Sequence, residues 1–244
     1  MEIHKPHAAK TWKEFFIELG TIVLGILIAL GLEQAVETFH DRSREDQARQ
    51  SIRAEIATDI GLMATRAGVE NCVSRRLDEV EGLIVAFAVG KLPPGPIWLG
   101  HPPFFPTASG QYVAASQSGA MSLFSNQEQA AYAVIYSHFA EQDRASEAEQ
   151  TAWAELRMLE KHPAGSQALE AQLRSALQQA REARWRQEAS TALMQNALAP
   201  LKIEPIITRR FTQQSVCIPL DTSRADGEKL VVKGRVGGVS FDEP

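Results

Sequence analysis

The residues best suited to metal or redox chemistry are two cysteines and six histidines. Cys72 and Cys217 stand far apart, no C-x-x-C pair occurs, and no histidine lies in an H-E-x-x-H pattern or at ligand spacing from a cysteine. Zinc sites need such closely spaced ligands. The sequence therefore predicts no metal site and no cofactor. The cysteines form either one disulfide or two buried thiols, depending on the compartment.

Serines, glycines and carboxylates form no catalytic motif either. Ser116-Gln-Ser118-Gly119 departs from the G-x-S-x-G elbow, and no strand pattern precedes it. Neither a G-x-G-x-x-G nor a phosphate-binding P-loop pattern occurs. Carboxylates alternate with arginines along helical stretches, which is typical of a solvated surface. An enzyme site assembled from distant residues leaves no local motif and stays as an alternative.

Composition and charge favour a helical protein that does not bind nucleic acid. The 244 residues carry a formal net charge of -5 with both signs interspersed, whereas nucleic-acid binding calls for clustered Lys and Arg. Alanine, glutamate, glutamine and arginine recur through the middle of the chain, and all four favour helices. The elements that must position any site are therefore helices.

An uncharged apolar segment near the N-terminus predicts a membrane anchor. Residues 19–32 carry no charge, and extending back to Phe15 gives 18 residues interrupted only by Glu18. A helix of this length spans roughly 27 Å, just enough for the hydrocarbon core of a bilayer. Trp12, Phe15 and Phe16 stand at one end, where an interfacial aromatic belt would lie.

Three other interpretations of this segment compete with the anchor. Its length also suits a buried core helix. Ala29-Leu30-Gly31 has the small residues of a signal-peptide cleavage site, but the region before the apolar run is long and carries Glu2 and Glu14, unlike a short basic leader. A helix lying in the interface needs a polar face, and residues 19–32 offer none.

One face of the predicted anchor is suited to close helix packing. Thr21, Gly25 and Ala29 recur every fourth residue, and Glu18 lies on roughly the same side. Small residues at this spacing let two helix backbones approach closely. The pattern indicates homo-oligomerisation or another envelope membrane protein as partner, besides the lipid bilayer itself. The alternative is that Glu18 simply reaches interfacial water.

The orientation in the membrane is weakly encoded. Three lysines precede the segment and four arginines follow it closely, so the positive-inside rule does not decide between the two orientations (Lys5, Lys10, Lys13; Arg42, Arg44, Arg49, Arg53). A short N-terminal tail most often stays in the cytoplasm. We therefore expect an inner-membrane protein with its large C-terminal domain on the periplasmic side.

Several stretches resemble a group of uncharacterised bacterial single-pass membrane proteins. They are Met-Glu-Ile-His-Lys-Pro at 1–6, Trp-Lys-Glu-Phe at 12–15 and Ile-Val-Leu-Gly-Ile-Leu-Ile-Ala-Leu-Gly-Leu-Glu-Gln at 22–34. Cys-Val-Ser-Arg-Arg-Leu-Asp-Glu at 72–79 and Cys-Ile-Pro-Leu at 217–220 are also similar. The resemblance implies a membrane-anchored, mostly helical protein without an assigned activity, and it supplies no catalytic residues.

The remaining chain predicts an all-α protein in four parts: a tail at 1–11, the anchor at 12–40, a helical bundle at 41–202 and a C-terminal tail at 203–244. Isoleucines at every fourth position from 52 to 60 continue the anchor helix, and a second apolar pattern runs from 69 to 87. Prolines then break the chain between 93 and 106, and a short helix is expected within 109–124.

Two long helices follow and form an antiparallel hairpin. Ser125-Asn-Gln-Glu128 is a capping box, so a helix starts at Asn126 and runs to about Lys161. A second helix runs from about Gln167 to Leu198. Four aromatic residues in or near this hairpin are candidates to line a pocket between helices: Tyr112, Tyr132, Tyr136 and Trp153.

The C-terminal tail is predicted to be irregular or weakly β. Prolines and glycines break helices there, and residues 230–232 and 235–236 form a candidate strand pair. In an oxidising compartment Cys72 and Cys217 should be joined, pinning this tail to the first exterior helix across about 145 residues. In the loop-entropy description such a closure stabilises by ~5 kcal/mol.

Three functions follow from this architecture. The first is a non-enzymatic interaction or scaffold module of the bacterial envelope. The second is a sensor-like helical domain that binds a ligand, and the third is a membrane-tethered enzyme. A cavity of several hundred Å³ with convergent polar groups would favour the second function, and a flat exposed apolar patch would favour the first.

Overall fold

The computed structural model describes residues 11–163, 165–207 and 214–235. Within these ranges every regular element is a helix: six α-helices joined by loops and 3-10 turns, without a strand. The all-α prediction is confirmed. Since the Ala-, Glu-, Gln- and Arg-rich segments have strong helix propensity and apolar residues at helical spacing, both local and long-range preferences agree.

Helix α1 (Trp12–Ala67) is a single helix of 56 residues and a length of roughly 84 Å. Every side chain described between residues 12 and 40 is exposed, whereas Ile52, Ile56 and Ile60 are buried in the bundle. Among the described residues, one helix is long and apolar enough to cross a membrane, and it is this one. The predicted continuation of the apolar segment into the bundle is confirmed.

Helix α2 (Glu70–Ala88) packs on the bundle with a stripe of buried aliphatic residues and ends before Gly90, which adopts a left-handed φ of 69°. The proline-rich stretch after it is irregular, as predicted, because proline lacks a donor and clashes with a preceding helical turn. Helix α3 (Gly110–Gln117) is short, and left-handed Gly119 turns the chain into a 3-10 turn at Ala120–Leu123.

Helices α4 (Asn126–Leu156) and α5 (Gln167–Leu198) form the predicted hairpin. The capping box is present, with the Ser125 hydroxyl accepting from the Glu128 N–H. A 3-10 turn at Arg157–Lys161 closes α4 where the sequence places its end. His138 contacts Ser190 and Gln172 contacts Glu155, so residues early in α4 meet residues late in α5 and the helices are antiparallel.

The hairpin builds two hydrophobic clusters, one at each end. The cluster at the open end joins α1, α3 and the start of α4, with Ile56, Tyr132 and Phe139 at its centre. The cluster near the α4–α5 turn joins α2 to the other half of the hairpin through Leu77, Trp153 and other residues. Between these clusters the interior is polar, and the candidate site lies there.

The segment after α5 crosses α1 in close contact. Arg53 Nη1 donates to the Leu201 carbonyl at 2.8 Å, and the Ile206 N–H donates to the Ala57 carbonyl at 2.8 Å. Gly61 allows this crossing, because a Cβ atom there would lie 2.0 Å from the Ile206 carbonyl oxygen. The polypeptide after the hairpin is therefore folded back on the bundle.

Residues 214–235 close the α2 end of the domain. A disulfide joins Cys72 to Cys217 with a Cα–Cα distance of 5.0 Å. The buried Arg76 guanidinium donates to backbone carbonyls of both neighbouring segments, at Leu99 and Ile218. Trp98 Nε1 donates to the Ser215 carbonyl at 2.9 Å. These bonds attach the tail to α2 and to the proline-rich stretch.

The strand prediction for the tail is wrong where the structure describes it. Helix α6 (Arg224–Arg235) includes residues 230–232, while Val236 lies outside the described residues. Ser223 caps this helix by accepting from the Asp226 N–H at 3.2 Å, and Arg224 pairs with Glu228 one turn later. Capping and i,i+4 pairing favour the helix over the weak strand preference of Val231.

Candidate functional site

A cavity of about 270 Å³ opens between α1, α4, α5 and the loop that precedes α3. This volume is just below the range of about 300–1,000 Å³ that is typical of small-molecule sites. Its apolar wall comes from three of these elements: Leu62, Met63, Ala67, Pro103, Phe105 and Ala192. Leu62, Met63, Pro103 and Phe105 are partly buried, whereas Ala67 and Ala192 are exposed.

Several polar lining residues of the cavity belong to a buried polar network. Arg66 Nη2 donates to Glu149 Oε1 at 2.7 Å, and Arg66 Nη1 donates to Glu70 Oε2 at 3.0 Å. Glu149 is only 1 % exposed, and the Arg66 side chain is 12 % exposed. A buried carboxylate needs such a partner, because removing a charge from water is costly.

Two glutamines complete the network and have fixed amide orientations. Gln187 Nε2 donates to the Glu149 carboxylate at 3.1 Å, and Gln142 Nε2 donates to the backbone carbonyl of Gln187 at 2.9 Å and to Thr191 Oγ1 at 2.6 Å. The carboxylate and the carbonyl only accept hydrogen bonds, so the nitrogen of each amide must face them. Both glutamines also line the cavity.

Burial perturbs the acid of this network. Desolvation raises the pKa of Glu149, while the charge of Arg66 and the hydrogen bond from Gln187 oppose this rise. A buried acid beside a cavity is typical of functional sites, although structural ion pairs also produce such shifts. A ligand that adds or removes charge beside Arg66 would therefore change the ionisation of Glu149.

Three carboxylates, which we call the acid clamp, hold the cavity loop in place: Glu55, Asp59 and Asp143. Asp143 accepts from the N–H and the hydroxyl of Thr107, a cavity residue, at 3.0 and 2.9 Å. Asp59 accepts from the Ala108 N–H at 3.1 Å. Glu55 accepts from the Gln111 N–H at 2.9 Å. Carboxylates of α1 and α4 thus hold the end of the loop, and Gln150 Nε2 of α4 donates to the Pro102 carbonyl further back at 3.0 Å.

Asp59 is the buried member of the acid clamp, with 2 % of its surface exposed. Burial raises the pKa of Asp59 to about 7, the hydrogen bond from Ala108 opposes this rise, and the charges of Glu55 and Asp143 add to it. Near neutral pH this carboxyl therefore exchanges a proton. Its charge state bears directly on the loop that forms one wall of the cavity.

Three of the four aromatic residues predicted to line a pocket come together, and Trp153 lies apart from them. Tyr112 and Tyr136 stack at 4.3 Å between ring centroids, and Tyr136 donates to Glu55 at 2.6 Å. Tyr132 lies in the same hydrophobic cluster, and Trp153 belongs to the other cluster. None of the four is among the residues that line this cavity, and their large rings pack in the hydrophobic clusters instead. A pocket lined by these four residues stays a prediction.

The residues of the predicted packing face on the anchor helix are exposed in this single chain. Thr21 donates its hydroxyl to the Ile17 carbonyl of its own helix at 2.8 Å, which satisfies that group within the helix. A Cβ atom added at Gly25 would meet nothing within 4 Å. Glu18 and Ala29 are likewise exposed. This face of α1 is open to a lipid or to a protein partner.

Sequence reasoning missed the residues of the polar network. Arg66 and Glu149 are separated by 83 positions, and each by itself resembles a solvated helix residue. One signal was present: Gln142, Ser146 and Glu149 recur at helical spacing on α4, on the side where α4 is otherwise buried. Polar residues on a buried face need partners, so this pattern indicates an internal polar site.

Comparison with known proteins does not assign the site. No protein-family model matches the chain. No curated protein and no solved structure matches it either.

Proposed function

We propose that this chain is a membrane-anchored, sensor-like protein whose exterior helical domain binds a small molecule in the cavity between α1, α4, α5 and the loop before α3. The observation that carries the proposal is the combination of an apolar wall with a buried, hydrogen-bonded polar network at one cavity. Ligand sites in proteins have this composition, with a few polar groups that fix the orientation of an otherwise apolar ligand.

Helix α1 supports a sensing role, because it belongs to both the cavity and the apolar segment. Its residues Leu62, Met63, Arg66 and Ala67 line the cavity. From Leu62 the helix runs back without interruption to Leu32, a distance of roughly 45 Å. A ligand that shifts this end of α1 would displace a rigid element that reaches the bilayer.

The charged groups at and near the cavity form ion pairs with one another, which favours ligand binding over catalysis. Arg66 is paired with Glu70 and Glu149, and Arg184 is paired with Glu70 and Glu188. Groups paired in this way orient a ligand and shape a site, whereas general acid–base catalysis needs a group within reach of the reacting atoms. We therefore infer a receptor-like protein without enzymatic activity and without a cofactor.

The disulfide supports a location outside the cytoplasm. Disulfides persist in oxidising compartments such as the bacterial periplasm and are rare in the cytosol. With Cys72 and Cys217 both in the exterior domain, we infer an inner-membrane protein whose C-terminal domain faces the periplasm. Labelling single cysteines placed at the chain ends with a membrane-impermeant reagent tests the orientation, and labelling of an N-terminal site in intact cells would contradict it.

A thermal-unfolding screen tests the proposed function. Full-length protein in detergent is heated in the presence of a library of compounds with up to about a dozen non-hydrogen atoms, since a bound ligand stabilises the folded state by mass action. We expect a chemically related set of compounds to raise the unfolding temperature in proportion to the logarithm of concentration. A library without any stabilising compound would contradict the proposal.

Self-association through the anchor is a second candidate function. The open side of Gly25, together with Thr21 and Ala29 on one exposed face, supports close contact with a second helix. Cross-linking in native membranes followed by mass spectrometry tests this candidate. We expect self-links, or links to one other envelope membrane protein, near Gly25, and recovery of the monomer alone would contradict it.

A further inference from the structure

We propose that the ligand of this cavity is a small molecule with an apolar body and a protonated amino group. This inference rests on the proposed ligand-binding function and specifies the chemical class that the cavity accepts. It is carried by the acceptors that the buried polar network presents, by the charge balance around the cavity, and by the cavity's size.

Hydrogen-bond acceptors predominate on the polar side. The side-chain N–H groups of Gln142 and Gln187 that have partners donate into the protein, and their partners fix each nitrogen's position. The carbonyl oxygens of the two side chains accept no hydrogen bond among the described residues. Both residues line the cavity, so these oxygens are the acceptors that a ligand's N–H groups would use.

The charge balance around the cavity is negative. Two carboxylates, Glu70 and Glu188, and one guanidinium group, Arg66, line the cavity. Arg66 already pairs with Glu70 and with the buried Glu149, so an incoming anion meets an excess of negative charge. An ammonium group neutralises that excess, and the low dielectric of a partly enclosed site strengthens this attraction.

The cavity lining combines polar and apolar side chains. The preferred ligand therefore carries its polar atoms at one end, near Glu70 and the two glutamines, and its apolar atoms at the other, near Met63 and Phe105.

The cavity volume limits the apolar body. A water molecule takes roughly 30 Å³ of the liquid, so about 270 Å³ corresponds to about nine water-sized groups. A ring with a two-carbon chain and an amino group has this size. Larger amines would extend through the opening beside Glu188.

The test compares three probes that share one skeleton: 2-phenylethylammonium, 2-phenylethanol and phenylacetate. Each is titrated calorimetrically into full-length protein in detergent at pH 7. We expect the ammonium probe to bind at least tenfold more tightly than the alcohol and the carboxylate to show no measurable binding. Equal affinity of the ammonium probe and either of the other two would overturn the inference.

A variant that removes one charge from the cavity lining shows whether charge or shape determines the affinity for the ammonium probe. Glu188→Gln removes one exposed carboxylate and keeps the side-chain length, so it is expected to fold normally. It should weaken the ammonium probe three- to tenfold and leave the alcohol unchanged, and an equal effect on both probes would contradict the role of charge. If none of the three probes binds while the wider screen yields ligands, the amine class is wrong and the binding function stands.

Discussion

Asp59 shows at the scale of one residue how the cavity loop depends on protonation. Its carboxyl is buried, accepts from the backbone of Ala108, and lies near Glu55 and Asp143. A buried carboxyl beside other carboxylates keeps its proton because ionisation would place like charges together in a medium of low dielectric. The acid clamp therefore couples the loop to pH.

The first prediction concerns the pH dependence of stability. The pKa of Asp59 is about 7 in the folded protein, against about 3.9 in an unfolded chain. The folded state thus keeps a proton that the unfolded chain releases, and stability falls as pH rises from about 4 to 7. Asp59→Asn keeps the acceptor oxygen without the charge, so it should be more stable than wild type above pH 7, by roughly 2–4 kcal/mol.

Urea unfolding of both proteins between pH 4 and 8 measures this difference. The matched control is Asp78→Asn, whose side chain is 75 % exposed on α2 and should leave the wild-type profile unchanged. Parallel pH profiles of wild type and Asp59→Asn would contradict a raised pKa for Asp59.

The second prediction concerns the ion pair beneath the cavity. Arg66→Met leaves the buried Glu149 carboxylate with Gln187 as its remaining partner and should cost about 3–5 kcal/mol, more at pH 8 than at pH 5. Glu149→Gln should cost less, because Arg66 keeps Glu70. The double variant should be more stable than Arg66→Met alone. Additive losses in this double-mutant cycle would show that the two side chains are not coupled.

At the scale of elements, local signals predicted the helices well. The capping box at Ser125 fixed the start of α4, and the break at His162-Pro163 fixed its end, because both depend on a few neighbouring residues. The secondary structure of the C-terminal tail is less predictable from local signals. Its valines favour a strand, but Ser223 and the Arg224–Glu228 pair favour a helix, and the balance is not visible in the apolar pattern alone.

The candidate site could not be predicted, because it depends on which faces of the helices meet. Tyr132 and Tyr136 share one face of α4, but whether that face meets a cavity or a neighbouring helix is set by packing across the bundle. Arg66 and Glu149 have ordinary charged-residue patterns until the structure brings them within 2.7 Å. The spacing of residues in the sequence predicts which face of a helix a residue lies on. It does not predict which residue of another helix it contacts.

The third prediction belongs to the crossing of α1 by the chain after α5. Gly61→Ala places a Cβ atom against the Ile206 carbonyl oxygen, so the crossing segment must move. We expect a loss of about 1–3 kcal/mol in the free energy of unfolding. The control is Gly82→Ala in α2, where nothing lies within 4 Å, and it should stabilise the protein by ~0.5–1 kcal/mol. Equal effects at both positions would contradict the close crossing.

At the scale of the whole molecule, one disulfide joins residues 145 positions apart and holds the tail on α2. The fourth prediction is that replacing Cys72 and Cys217 together by serine lowers the free energy of unfolding by about 2–5 kcal/mol. A reducing agent should destabilise the wild type to the same extent and leave the double variant unaffected. Alkylation of both thiols in unreduced, denatured protein would show that the bond does not form.

The molecule as a whole combines a ligand-sized cavity, a loop held by carboxylates, and a helix that runs from the cavity to an apolar segment suited to a bilayer. Each part has a structural explanation by itself. Helix α1 contributes both to the cavity and to the apolar segment. In the proposed function, this shared helix connects ligand binding in the exterior domain to the membrane.

Blocking the cavity tests the central claim most directly. Ala192 lines the cavity and is exposed on α5, so Ala192→Trp should fill the space without disturbing the core. Ala171→Trp makes the same change at an exposed position of α5 outside the cavity lining. The best stabilising compound from the screen is titrated into wild type and both variants. We predict that Ala192→Trp abolishes binding while Ala171→Trp binds like wild type, and unchanged binding by Ala192→Trp would contradict the proposed site.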